Sequence, residues 1–139
     1  MFRKILVPVD LSHDERCDAL IEQAKRLAGL DGGELMLLNV VADIPTYVAA
    51  ELPPELHQKA MASADAELRR LAEKHALPAT TRLLVEHGSP APRILDAAKD
   101  NEVDVIVIAS HQPGLADYLI GSVAGKVVRH AHCTVVVLR

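Results

Sequence analysis

Short apolar runs alternate with stretches of helical periodicity along the whole chain, and this alternation limits the possible architectures more than any other feature. Ile5-Leu6-Val7-Pro8-Val9 is a β-branched run closed by Asp10-Leu11-Ser12. Cys17, Leu20, Ile21, Ala24, Leu27 and Ala28 then recur at three- and four-residue spacings and predict a helix. Ser12 and Glu15 have the spacing of a capping box, and Gly29 is the expected stop. The run from Leu35 to Val41 predicts a second strand, covered on both faces, with Asn39 its only polar residue. Residues 43–55 contain Pro45, Pro53 and Pro54 and read as a long connection, a candidate lid that includes Tyr47.

Pro53-Pro54 opens a second helix with Leu56, Ala60, Met61, Ala64, Leu68, Leu71 and His75 on its inward face, ending near Leu77-Pro78. Ala79 to His87 alternates, Thr81, Leu83 and Val85 against Arg82 and Glu86, as expected of an edge strand with one wet face. Ser89-Pro90 reads as N-cap and first residue of a helix with Ile94, Leu95 and Ala98 inward. Val103 to Ala109 is the fourth strand, Ser110 to Ile120 a loop, and Gly121-Ser122 the start of a helix with Val123, Ala124, Val127, Val128 and Ala131 on one face. The last strand is Cys133 to Arg139. Neighbouring parallel strands need crossover connections. Five strands alternating with four helices therefore predict an α/β fold, a single domain over residues 1–139 with an open parallel sheet and helices on both faces.

Composition narrows the partners. The 139 residues carry 15 Lys plus Arg against 19 Asp plus Glu, a net charge of −4, and only Phe2, Tyr47 and Tyr118 are aromatic. A nucleic-acid binder wants a basic stripe and often stacking rings, and an anionic membrane wants basic residues. Neither requirement is met. No apolar run approaches the ~20 residues that span a bilayer, and the apolar stretch after Arg3-Lys4 is too short for a signal peptide, so a mature cytoplasmic protein is expected. Cys17 and Cys133 are expected to be separate free thiols. His13, His57, His75, His87, His130 and His132 show no ligand spacing, and no metal site is assigned.

In open parallel sheets ligands bind outside the carboxyl ends of the strands, where the strand order reverses. That rule selects Asp10 after the first strand, Val40 at the end of the second, Ser110 and His111 after the fourth, and the start of the last helix. At Gly121-Ser122-Val123 a glycine lets backbone N–H groups approach an anion, and the helix terminus favours negative charge. The same residues also suit an ordinary capped helix start, and Asp10 suits a turn. Gly125-Lys126 is not a P-loop: Ile120 stands where glycine is required, and Val127 where Ser or Thr must hold magnesium.

The opening Ile5-Leu6-Val7-Pro8-Val9-Asp10 and three later segments carry a resemblance to the universal stress protein family over the full length. The later segments are Ala109-Ser110-His111-Gln112-Pro113-Gly114, Gly121-Ser122-Val123-Ala124, and Val128-Arg129-His130-Ala131-His132-Cys133-Thr134-Val135. The Ser-His-x-Pro variant, with Tyr118 before the Gly-Ser pair, is most similar to the F/G-like bacterial subgroup. The resemblance implies strand order 3-2-1-4-5 and an adenine nucleotide, ATP with or without Mg2+, as ligand. It places Asp10 at the ribose, Pro8, Val9 and Val40 at adenine, and Ile108, Ala109, Ser110 and His111 as the fourth-strand wall. Gly121, Ser122 and Val123 fall at the phosphates, with Gly114 supplying flexibility to the loop. The family's glycine motif is altered here: Ala109 and Gln112 replace its first two glycines, and eight residues instead of nine separate Gln112 from Gly121.

Val135, Val136, Val137 and Leu138 are apolar on both faces of a strand that the resemblance places at an edge, so a homodimer through this strand is expected. Three functions compete. The first is a cytoplasmic nucleotide-binding sensor or regulator of the stress response. The second is an interaction module of the same fold that binds no nucleotide, favoured by Ala109 and Gln112. The third, a slow ATPase, ranks last, because one crevice carboxylate and no evident basic finger do not meet the needs of phosphoryl transfer.

Overall fold

The computed structural model describes residues 2–12, 14–43, 47, 50–110 and 121–139. In chain order the elements are β1 (Lys4–Pro8), α1 (Asp14–Asp31), β2 (Glu34–Val41), α2 (Pro54–Lys74), β3 (Arg82–His87), α3 (Pro90–Asp100), β4 (Val105–Ala109), α4 (Ser122–His130) and β5 (Thr134–Leu138). All five strands are parallel, in the order β3-β2-β1-β4-β5. The chain winds outward from β1 through β2 to β3, returns to β4 on the other side of β1, and ends at β5.

The two-residue period of the strands divides the core between two faces. Ile5, Val7, Leu35, Leu37, Val105 and Val107 meet α1 and α2 on one side, through Leu20, Ile21, Ala24, Leu68 and Leu71. Leu6, Met36, Leu38, Ile106 and Ile108 meet α3 and α4 on the other, through Ile94, Ala98, Ala124 and Val127. In β5, Val136 and Leu138 pack toward the first layer and Val135 and Val137 toward the second. The edge strand is thus apolar on both faces and half-buried on each.

The strands are joined unevenly. β1 pairs with β2 from Lys4↔Glu34 to Pro8↔Leu38, and β2 with β3 from Met36↔Arg82 to Val41↔His87. Between β1 and β4 only Ile5↔Val105 and Leu6↔Ile106 are in register. The seam opens toward the carboxyl ends, where the winding direction reverses.

Several local expectations are corrected. Gly29 lies within α1, which ends only at Asp31; the next residue, Gly32, has φ +65°, a left-handed conformation that suits glycine. The next residue must also be glycine, since a Cβ on Gly33 would run into the Phe2 carbonyl oxygen. Ser12 forms no capping box; its N–H and hydroxyl both donate to Asp10 Oδ1, two residues back, and α1 begins at Asp14. α2 buries Ala64, Leu68 and Leu71, but Leu56 and Ala60 near its start are exposed. β3 begins at Arg82, not Ala79, and β4 at Val105, because Asp104 turns its carboxylate to accept the Arg3 and Lys4 N–H groups at the start of β1. Val128 is exposed, since the short α4 buries only Ala124 and Val127.

His75 closes α2 against α1. Its ring is buried, with Nδ1 2.7 Å from Glu22 Oε1 and Nε2 2.7 Å from Asp18 Oδ1. Lys74 donates to Asp18 Oδ2 at 2.8 Å, and Lys25 to the His75 carbonyl at 2.6 Å. These bonds hold both carboxyl groups below their ordinary values: for Asp18 the largest cause is the hydrogen bond from Lys74, then that with His75, and for Glu22 it is the bond with His75.

Candidate functional site

A crevice of about 300 Å³ opens at the carboxyl end of the sheet, above the diverging ends of β1 and β4. The floor comes from strand ends: Pro8, Val9 and Asp10 after β1, Leu38, Asn39 and Val40 on β2, and Ile108 and Ala109 on β4. Its walls are helix starts and first turns: Arg16, Cys17 and Leu20 of α1, Pro90 and Ile94 of α3, and Ser122, Val123 and Ala124 of α4. This is the geometry of the doubly wound fold, in which helices begin beside the carboxyl ends of the strands they follow.

The backbone at the rim is firmly held. Val9 N–H donates to the Leu38 carbonyl at 2.8 Å, and Asn39 Nδ2 donates to the Val9 carbonyl at 3.0 Å. Asp10 Oδ1 accepts the Ser12 N–H at 3.0 Å, while the Asp10 carbonyl accepts the buried Cys17 thiol at 3.1 Å. The turn between β1 and α1 is therefore fixed from both sides. Apart from Asp10 and Arg16, the described lining is uncharged and contains no aromatic ring. A flat apolar group would rest against Pro8, Val9, Val40 and Ile108, and polar contacts would come from Asp10, Arg16, Ser122 and the backbone at the start of α4.

Of the residues selected from sequence, Pro8, Val9, Asp10, Val40, Ile108, Ala109, Ser122 and Val123 line this crevice. Gly121 is buried as the N-cap of α4, with φ −58°, and flanks the crevice. Ser110 N–H donates to the Leu138 carbonyl at 2.6 Å, which ties the end of β4 to β5. His111 and Gly114, with Gln112, lie outside the described residues. Sequence reasoning missed Arg16 and Asn39 as lining residues and took Cys17, Leu20 and Ile94 only for core. Asn39 carried a signal, a lone polar residue in a buried strand; Arg16 carried a weaker one, a cation in the first turn of a helix that follows a strand.

Both cysteines are free thiols. Burial pushes the Cys133 thiol up, and the nearby Asp104 carboxylate adds to the shift. Among the described residues no group of three or more His, Cys, Asp or Glu side chains could hold a metal ion, and no helix is long and apolar enough to cross a membrane.

An open parallel sheet, wound both ways from β1 and carrying a crevice at the reversal, defines a doubly wound α/β protein with the ligand position of that class. Within that class the chain belongs to the universal stress protein family, whose family model matches residues 1–139. It is 31% identical over 144 residues to a universal stress protein of Methanothermobacter thermautotrophicus, covering 100% of this chain and 97% of the relative. It is 29% identical over 143 residues to universal stress protein G of Shigella flexneri, covering the whole of both. Among solved structures, universal stress protein UspA of Lactobacillus plantarum matches with a TM-score of 0.80 and 29% identity, over 99% of this chain and 98% of that one. Two others share the fold at a TM-score of 0.66. A universal stress protein of Archaeoglobus fulgidus in complex with dAMP is 22% identical over 100% of both chains. One in complex with cAMP is 20% identical, over 99% of this chain and 96% of that one.

Proposed function

We propose that this universal stress protein binds an adenine nucleotide in the crevice and acts in the cytoplasm as a single-domain sensor or regulator of the stress response, with ATP, with or without Mg2+, as its ligand. The observation that carries this reading is that Asp10, Val40 and the start of α4 at Ser122-Val123, far apart in sequence, line one cavity at the switch point of the sheet. The dAMP and cAMP complexes of proteins with the same fold support an adenine nucleotide as the ligand class.

In this reading adenine rests among Pro8, Val9, Val40 and Ile108, and Asp10 faces the ribose hydroxyls. The phosphates lie at Gly121, Ser122 and Val123, with Ala109 and Ser110 along the fourth-strand side. Peptide N–H groups and the partial positive charge at a helix start suit phosphate oxygens. No residue is assigned a catalytic role. A homodimer through β5 belongs to the same proposal, since Val135, Val136, Val137 and Leu138 form a sheet edge that, among the described residues, pairs only with β4.

The first test is a spectrum. With no Trp and two Tyr the protein absorbs weakly at 280 nm, so co-purified nucleotide would dominate near 260 nm. Denaturation and chromatography of the released material, followed by calorimetric titration of ATP and AMP, should give released adenine nucleotide or a saturable heat. No release and no heat at millimolar ATP would overturn the reading. The replacement of two loop glycines by Ala109 and Gln112 favours, in that event, an interaction module without nucleotide.

A further inference from the structure

We infer that Arg16 reads the anionic part of the crevice ligand, so that the site selects phosphorylated nucleotides over the bare nucleoside. This rests on the nucleotide-binding reading above and assigns it a specificity-determining residue. Among the described lining residues Arg16 is the single cation, and Asp10 the single carboxylate.

Its location is not one that helix stability favours. Arg16 lies in the first turn of α1, which begins at Asp14, and a cation there opposes the helix dipole. An anion in the adjoining crevice would offset that cost, since it attracts both the guanidinium and the helix terminus. The residue is also held in place by its neighbours. Cys17, the next residue, is 2% exposed and donates its thiol to the Asp10 carbonyl, while Asp10 Oδ1 holds Ser12. Arg16 therefore enters the crevice from a turn pinned to the end of β1, and its half-buried side chain is partly withdrawn from water.

A guanidinium fork matches two phosphate oxygens at once, which an ammonium does not. Ser122 and the start of α4, which line the same crevice from the other helix layer, supply neutral donors. A phosphoryl group between them receives donors from both layers of helices, whereas adenosine gains nothing from Arg16.

The experiment is a set of calorimetric titrations of ATP, AMP and adenosine into the wild type, Arg16→Gln and Arg16→Lys, each at low and high salt. Charge-assisted hydrogen bonds of this kind correspond to an affinity loss of about 10- to 100-fold for ATP and AMP in Arg16→Gln. Adenosine binding should be unchanged, and the salt dependence for ATP should weaken. Arg16→Lys should recover part of the loss, since it keeps the charge without the fork. Glutamine is a good helix former, so ligand-free Arg16→Gln should still fold cooperatively, with a melting temperature close to that of the wild type. If the wild type binds ATP and Arg16→Gln binds it equally well, the assignment of Arg16 fails while nucleotide binding stands. An equal loss for adenosine and ATP also overturns it, because Arg16 then acts through the shape of the crevice. A wild type that binds none of the three ligands removes both the reading and the inference.

Discussion

Asp10 is committed to its own chain before any ligand arrives. One carboxylate oxygen takes both the N–H and the hydroxyl of Ser12, and the backbone carbonyl takes the Cys17 thiol. A turn role and a ligand role thus coincide in one side chain, and two substitutions separate them. Asp10→Asn retains a side-chain oxygen to accept from Ser12 and should keep the melting temperature close to wild type. Asp10→Ala loses that acceptor and should cost about 1 kcal/mol in urea unfolding. On the nucleotide-binding reading both variants weaken ATP binding. Retained affinity in both would remove Asp10 from the ligand site. Asp10 was selectable from sequence because it follows an apolar strand at the sheet's carboxyl end. Arg16 was harder to select, because a cation in a first helical turn is a weak signal until the placement of α1 beside the crevice is known.

At the scale of elements, hydrophobic spacing located all five strands and four helices, since burial on two faces leaves a strong period. Boundaries were less legible. Gly29 resembled a stop, yet Gly32 holds the left-handed residue, a distinction of backbone geometry that composition does not carry. Gly29 has nothing within 4 Å of an added Cβ, so Gly29→Ala should stabilise the protein by about 0.5–1 kcal/mol, read as a higher urea midpoint.

The α1–α2 clasp was hidden as well, because His75 shares the helical spacing of apolar neighbours. Its pH response follows from linkage. Asp18 and Glu22 titrate below their ordinary values of 3.8 and 4.5 in the folded chain, so the stability they contribute is present above those values. It is lost as pH falls through the lower, folded values. Unfolding free energy should therefore drop as pH is lowered below about 4.5, and His75→Gln should flatten that part of the profile. An unchanged slope in the variant would show that the clasp contributes nothing to it.

For the whole molecule, the two sheet edges differ. β3 carries Arg82, Glu86 and His87 on exposed positions, and charge there discourages pairing. β5 lacks such protection between Val135 and Leu138. If it pairs with a second copy, sedimentation at micromolar concentration should give twice the 15.0 kDa chain mass, and Val137→Lys should shift the distribution toward the single chain. A 15.0 kDa species in the wild type would refute the dimer.

The seam between β1 and β4 has a further consequence. Only Ile5↔Val105 and Leu6↔Ile106 are in register between the strand on which the first winding begins and the strand on which the second begins, and the Asp104 bonds to Arg3 and Lys4 lie at the far end from the crevice. The crevice lies directly above that seam, with walls from both windings. A molecule bound there would act as a rivet between the two windings. Occupancy should slow amide exchange in β1 and β4 together, including at positions that never touch the ligand, and should raise the barrier to opening at the seam. On the nucleotide-binding reading, the ligand would then be registered in how tightly the two windings are fastened.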